Sequence, residues 1–252
     1  MVRPDKFPKD PRNAEFRALN QAVRDGEIAG FIVETVATLE GVKRSDRAAY
    51  LCGVRPNVSV VENEQDGTIK VSFQIGPKPN HHPGIAPILE DRVREALALS
   101  FKLLKVPRIE QPSPPITQEE ANYPAQTSAD KGKRLDRTFA ALREIEPRGV
   151  GKQQIEALGS TISKRVGRAG PWWANLDRAT QAEISQIASA VGEWADADSI
   201  AAHIGYQNEL FCTEDQGITA GSSILNDANR GWLSNKYGIR FVTLAELASM
   251  LK

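Results

Sequence analysis

The stretch WADADSIAAHIGYQNELFCTEDQG, Trp194 to Gly217, decides how the chain is read. Its first part carries Ile200 and Ile204 at helical spacing, and its second part, ELFCT from Glu209 to Thr213, is a short apolar run suited to a buried strand. Downstream a helix is predicted around Asp227 to Asn235, a strand at Ile239 to Val242, and a last helix opened by the capping pair Thr243 and Glu246. Helix, strand, helix, strand, helix is the pattern of a parallel α/β sheet.

Working outward, Ile28 to Val33 (IAGFIV) reads as a second buried parallel strand. A helix precedes it, with Asp10 and Pro11 at its start, Phe16, Leu19 and Val23 on one face, and Gly26 at its end. A helix is expected from about Val36 to Leu51. Alternation over Asn57 to Ile75, centred on Asp66-Gly67, predicts a β-hairpin. A helix is then expected from Ile88 to Leu104, and the Pro-, Gln- and Ser-rich run from Val106 to Ala129 reads as a loop. Further helices are marked by Leu135, Phe139 and Leu142, by Ile155, Leu158 and Ile162, and by Ile184, Ile187 and Val191.

The 252 residues balance 32 Lys+Arg against 32 Asp+Glu, which excludes a protein that coats nucleic acid by bulk charge. Two cysteines make neither a disulfide framework nor a cysteine zinc site, and no apolar run spans a bilayer. The expectation is a reduced, cytoplasmic protein without a membrane partner.

In open α/β sheets ligands bind beyond the carboxyl ends of the strands, so acidic residues there are the first candidates. Asp215 lies two residues past ELFCT, Glu34 ends IAGFIV, Glu40 lies in the following helix, and Asp196 and Asp198 open the helix before ELFCT. Carboxylates that converge favour Mg²⁺ or Mn²⁺, since hard oxygen ligands without His or Cys suit neither zinc nor copper. Taken singly, Asp196 and Asp198 also read as helix caps, Asp215 as a turn residue, and Glu40 as a solvated helix position.

The same residues resemble the PIN-domain family. Ala197-Asp198-Ser199-Ile200-Ala201-Ala202, Leu210-Phe211-Cys212 and Thr213-Glu214-Asp215 look like its penultimate helix, strand and Thr-x-Asp. Tyr237 to Leu247 is similar to its last strand and helix, and Gly30 to Val42 to its second strand and glutamate-bearing helix. The resemblance implies a Rossmann-like α/β/α sandwich with a parallel central sheet over residues 1–252. That domain would be enlarged by an insertion at 53–130 (hairpin, helix, Pro-rich loop) and by extra helices at 131–192. It also implies a Mg²⁺- or Mn²⁺-dependent endoribonuclease acting on single-stranded RNA. Glu40, Asp198 and Asp215 would be metal ligands and catalytic residues, Thr213 a polar neighbour, and Asp196 and Glu34 reserves.

Lys133, Arg134, Arg137, Lys164 and Arg165, with Lys131 and Arg168 beside them, are candidates to hold the RNA backbone, and each alone also reads as a solvated helix position. Trp172 and Trp173 read first as packing at a helix junction, His81 and His82 as surface residues, His203 as packed, and Cys212 as a buried strand residue. Self-association and an antitoxin-like partner stay open, with no residue commanding either.

Two other classes remain in view: a degenerate PIN-like module that binds RNA or protein without cutting, and a helical interaction protein with a small α/β end. PIN domains open with an apolar strand ending in aspartate, whereas this sequence starts MVRPDKFPKDP. The sheet is therefore expected to carry a gap between Ile28–Val33 and Glu209–Thr213. A partner chain or an N-terminal extension would close it, and the extension, by restoring that aspartate, would raise both stability and activity.

Overall fold

The computed structural model describes residues 9–63, 68–77, 82–106, 116, 118–218 and 222–251. The chain is mixed α/β and mostly helical, with short parallel strands. Helix α1 (Asn13–Arg24) buries Phe16, Leu19 and Val23 and leads to strand β1 (Phe31–Val33). A π-helical turn, Val36–Glu40, and helix α2 (Arg47–Cys52) follow, where one continuous helix is predicted. The break falls at Gly41, whose backbone is packed so closely that a Cβ would lie 2.8 Å from the Ala37 carbonyl oxygen.

Strands β2 (Val54–Asn63) and β3 (Thr68–Pro77) form the expected antiparallel hairpin, in register from Val54↔Pro77 to Asn63↔Thr68. Its turn, Asp66-Gly67, lies outside the described residues. Helix α3 (Pro87–Ala98) ends earlier than its apolar spacing suggests. Ser100 takes a left-handed conformation (φ 69°) and turns the chain into β4 (Lys102–Leu104), which pairs in parallel with β1. This stretch, predicted to finish a helix, belongs instead to the sheet.

Within the predicted Pro-rich loop, α4 (Gln118–Ala121) is a short helix. The remainder of 107–117, apart from residue 116, lies outside the described residues. Helix α5 (Ser128–Ile145) turns Arg134, Thr138, Ala141, Leu142 and Ile145 inward and leaves Phe139 exposed, so its buried face is rotated from the one predicted. Helix α6 (Lys152–Val166) follows, and then α7 (Gln181–Tyr206), one helix of 26 residues where two are predicted. Its start is a capping box between Thr180 and Glu183. Strand β5 (Leu210–Cys212), helix α8 (Asp227–Tyr237), strand β6 (Arg240–Val242) and helix α9 (Leu244–Met250) complete the chain, with β5 and β6 parallel and the Thr243–Glu246 capping box formed.

Helix α7 lies between two apolar cores and so positions everything around it. Ala197, Ile200 and Ala201 join Val33, Leu104, Ile145 and Leu233 in one core, while Ile187, Val191 and Trp194 join Leu39, Leu51, Ile155 and Ile162 in the other. Its small residues allow α5 to approach closely: a Cβ at Gly205 would collide with Thr138 Oγ1. Among the described residues the strand pairs β1–β4 and β5–β6 are separate ribbons. No helix among them is long and apolar enough to cross a membrane.

Candidate carboxylate site

Successive residues of a helix are rotated by roughly 100°, so positions three apart share a face and positions two apart do not. On α7 this puts Glu193 and Asp196 on one side and Asp198 on another. Asp196 feels, after its own desolvation, the charges of Glu193, Glu40 and Asp215, and its pKa is pushed up to about 8. Glu40, on the π-helical turn, is also raised by burial, with Arg47 pulling the other way. Glu193 is raised by burial, opposed by a bond from Ser223 and worsened by Asp215. Its Oε2 atom is buried and has no hydrogen-bond partner.

Elements distant in sequence thus bring Glu40, Glu193, Asp196 and Asp215 into one electrostatic neighbourhood. No cation is among the groups that act on Asp196. Arg47, the one cation acting on Glu40, has its guanidinium tied to the carbonyls of Val42, Glu40 and Ala188 at 3.1, 2.7 and 2.5 Å. It staples the π turn to α7 and α2 instead of neutralising the acidic groups one for one.

Asp198 faces the other way. It is fully buried and its Oδ2 accepts from Thr35 Oγ1 at 3.1 Å. Glu34 is its electrostatic neighbour. The Glu34 carboxyl is raised chiefly by burial, while Val106 N–H donates to it at 3.0 Å and Tyr123 hydroxyl at 3.4 Å. This pair is supplied with donors and ties β1 to the segment after β4. Asp215 Oδ1 accepts from Gly217 N–H at 2.7 Å, and Thr213 Oγ1 accepts from Asp215 N–H at 3.0 Å, so Thr213 shapes the turn that presents Asp215.

The predicted set of Glu40, Asp198 and Asp215 is therefore divided by α7. Asp196, a reserve in the sequence reading, is the residue that Glu40 and Asp215 share. Glu193 was missed, although its spacing of three from Asp196 was the available signal. Among the described residues no group of three or more His, Cys, Asp or Glu is already arranged to hold an ion.

The predicted RNA-binding cations fare differently from one another. Lys133 and Lys164 are exposed. Arg134 is buried, donating to the Lys105 carbonyl and the Tyr206 hydroxyl, both at 2.9 Å. Arg137 caps the Gly205 carbonyl at 2.7 Å, and Arg165 bonds the Glu183 carboxylate. These three guanidiniums hold helices together. Trp172 and Trp173 meet edge to face with centroids 5.4 Å apart and pack against the second core. His203 packs edge-on against Phe211 and its pKa is lowered by burial to about 4. His82 is not a bare surface residue: a ring nitrogen lies 2.9 Å from the Thr38 carbonyl and the ring meets Tyr50 edge-on. His81 lies outside the described residues. Cys212, predicted buried, is exposed.

No family model matches the chain, and no curated protein and no solved structure matches it either.

Proposed function

We propose that the chain is a metal-dependent phosphodiesterase of PIN type that cleaves single-stranded RNA, with Glu40, Glu193, Asp196 and Asp215 as its cation-binding groups. The observation that carries this reading is the Asp196 proton, retained to about pH 8 by Glu193, Glu40 and Asp215. Like charges gathered in a partly desolvated place are costly unless a cation neutralises them. The donor set is all oxygen, and the orphaned Glu193 Oε2 is a buried acceptor without a donor, so the residues fit Mg²⁺ or Mn²⁺.

A bound divalent cation would supply charge neutralisation at the scissile phosphate and a more acidic water. The chain's own part is to hold and orient. The π turn sets Glu40, the i,i+3 spacing on α7 sets Glu193 and Asp196, and the Thr213–Gly217 turn sets Asp215. π-Helical turns recur at functional sites, which agrees with Glu40 being placed by one. With Arg134, Arg137 and Arg165 engaged internally, Lys131, Lys133, Lys164 and Arg168 are the exposed cations left to steer an anionic backbone.

A second reading, binding of RNA or protein without cleavage, is favoured by Asp198: it is fully buried and already bonded by Thr35. The test is Mg²⁺-dependent cleavage of a single-stranded RNA by the full chain and by Asp196→Asn. Cleavage lost in the variant supports the nuclease reading. Mn²⁺ binding without cleavage by the unaltered chain supports the second, and neither binding nor cleavage overturns both.

A further inference from the structure

A cleft of about 580 Å³ runs between β1 and β5. Its chemistry follows from the two ladders on either side. In β1, the Gly30 carbonyl accepts from Lys102 N–H and Glu34 N–H donates to the Leu104 carbonyl, both at 3.0 Å. Alternate residues of a strand bond to the same neighbour, so residues 30, 32 and 34 serve β4, and the backbone groups of Phe31 and Val33 point to the opposite edge. In β5, Thr213 N–H donates to the Val242 carbonyl at 2.9 Å, so residues 211 and 213 serve β6 and those of Leu210 and Cys212 point away from it. Phe31, Val33, Leu210 and Cys212 all line the cleft, and Leu19 and Val23 of α1 add an apolar wall. Among the described residues neither ribbon has a third strand.

We propose that this cleft is a strand-acceptor site, filled by an extended, apolar, proline-free segment of a partner polypeptide that joins β1 to β5 in one sheet. Two facing rows of backbone donors and acceptors, repeating every second residue, match a polypeptide strand and nothing of less regular chemistry. Strands of three residues bound the cleft on both sides, so the matching segment is short, spanning roughly 10 Å at 3.3 Å per residue. The source is a partner because the chain has no such segment to spare. Residues 1–8 (MVRPDKFP) carry Pro4, Pro8 and three charges, and 107–117 (PRIEQPSPPIT) is broken by prolines throughout. Proline cannot donate to a ladder, least of all at a strand paired on both edges.

Cys212 on the cleft wall is a built-in reporter, being exposed and one of only two cysteines. In a Cys52→Ser background the rate of Cys212 alkylation is measured with increasing concentrations of the peptide KTVIVTK and of KTVPVTK, which carries proline at its centre. Thermal melts of the unaltered chain with both peptides form the second readout and require no substitution. The proposal expects KTVIVTK to slow alkylation saturably, by about threefold or more once two thirds of the sites are filled, and to raise the Tm, while KTVPVTK does neither. Equal effects of the two peptides, or none from either, overturn it. So does faster alkylation after Val2→Asp with Phe7→Asp, which would make residues 1–8 the occupant. Elution of the full chain as a dimer whose Cys212 is protected would make the occupant a second copy, and that too overturns it.

Discussion

A carboxyl group that keeps its proton to about pH 8 gives Asp196 a signature in stability as well as in ligand binding. Between its ordinary value of 3.8 and its folded value, the unfolded chain has lost the proton and the folded chain has not. Stability from this group is therefore full below pH 3.8 and is lost as pH rises toward 8. His203 works in the opposite sense, since its folded pKa of about 4 lies below the unfolded 6.5, and stability rises with pH between those values. Above pH 6.5 only the carboxylates still change, Glu40 and Glu193 being raised as well. Thermal melts of the metal-free protein should thus show Tm falling from pH 6.5 to 8.5, and Asp196→Asn should flatten that fall and raise the Tm at pH 8. A Tm in the variant that falls as steeply would place the titration elsewhere. At the same scale, Gly205→Ala should cost about 2 kcal/mol in urea unfolding, because its Cβ would collide with Thr138 at the crossing of α5 and α7.

Helices and strands were legible in the sequence where one local signal had no competitor. The Thr243–Glu246 capping box and the alternation around the hairpin gave elements that the structure contains. Errors arose where a tertiary contact overrode the pattern. Apolar spacing runs unbroken from Val93 through Leu97 and Phe101 to Leu104, yet Ser100 turns left-handed and the last three residues pair with β1. The helix predicted over Val36 to Leu51 breaks where Gly41 packs against the Ala37 carbonyl, a closeness that no local spacing announces. The candidate site was partly legible for the same reason. Glu40 and Asp215 could be named from their places after strands, but choosing between Asp196 and Asp198 required the rotation of α7, which its packing between two cores fixes. Glu183 was open to discovery, since Thr180-Gln181-Ala182-Glu183 is a capping-box sequence. Thr180→Ala should cost about 1 kcal/mol of stability by chemical denaturation, with no effect on metal binding.

Across the whole molecule, α7 separates two groups of acidic residues with different fates. Glu34 and Asp198 receive donors from Val106, Tyr123 and Thr35 and join β1 to its neighbours. Glu40, Glu193, Asp196 and Asp215 repel one another, and the fold holds them together at a cost that a divalent cation would relieve. Adding Mg²⁺ at pH 8 should accordingly raise the Tm of the unaltered protein more than that of Asp196→Asn. The most direct test of this division is calorimetric titration of Mn²⁺ into the full chain, into Asp196→Asn and into Asp198→Asn, each first shown folded by circular dichroism. The account predicts saturable binding in the micromolar to millimolar range by the unaltered chain, binding weakened at least tenfold in Asp196→Asn, and binding within about threefold of the original in Asp198→Asn. Binding that survives Asp196→Asn and disappears in Asp198→Asn would contradict it, and would move the cation to the Glu34 side of the helix.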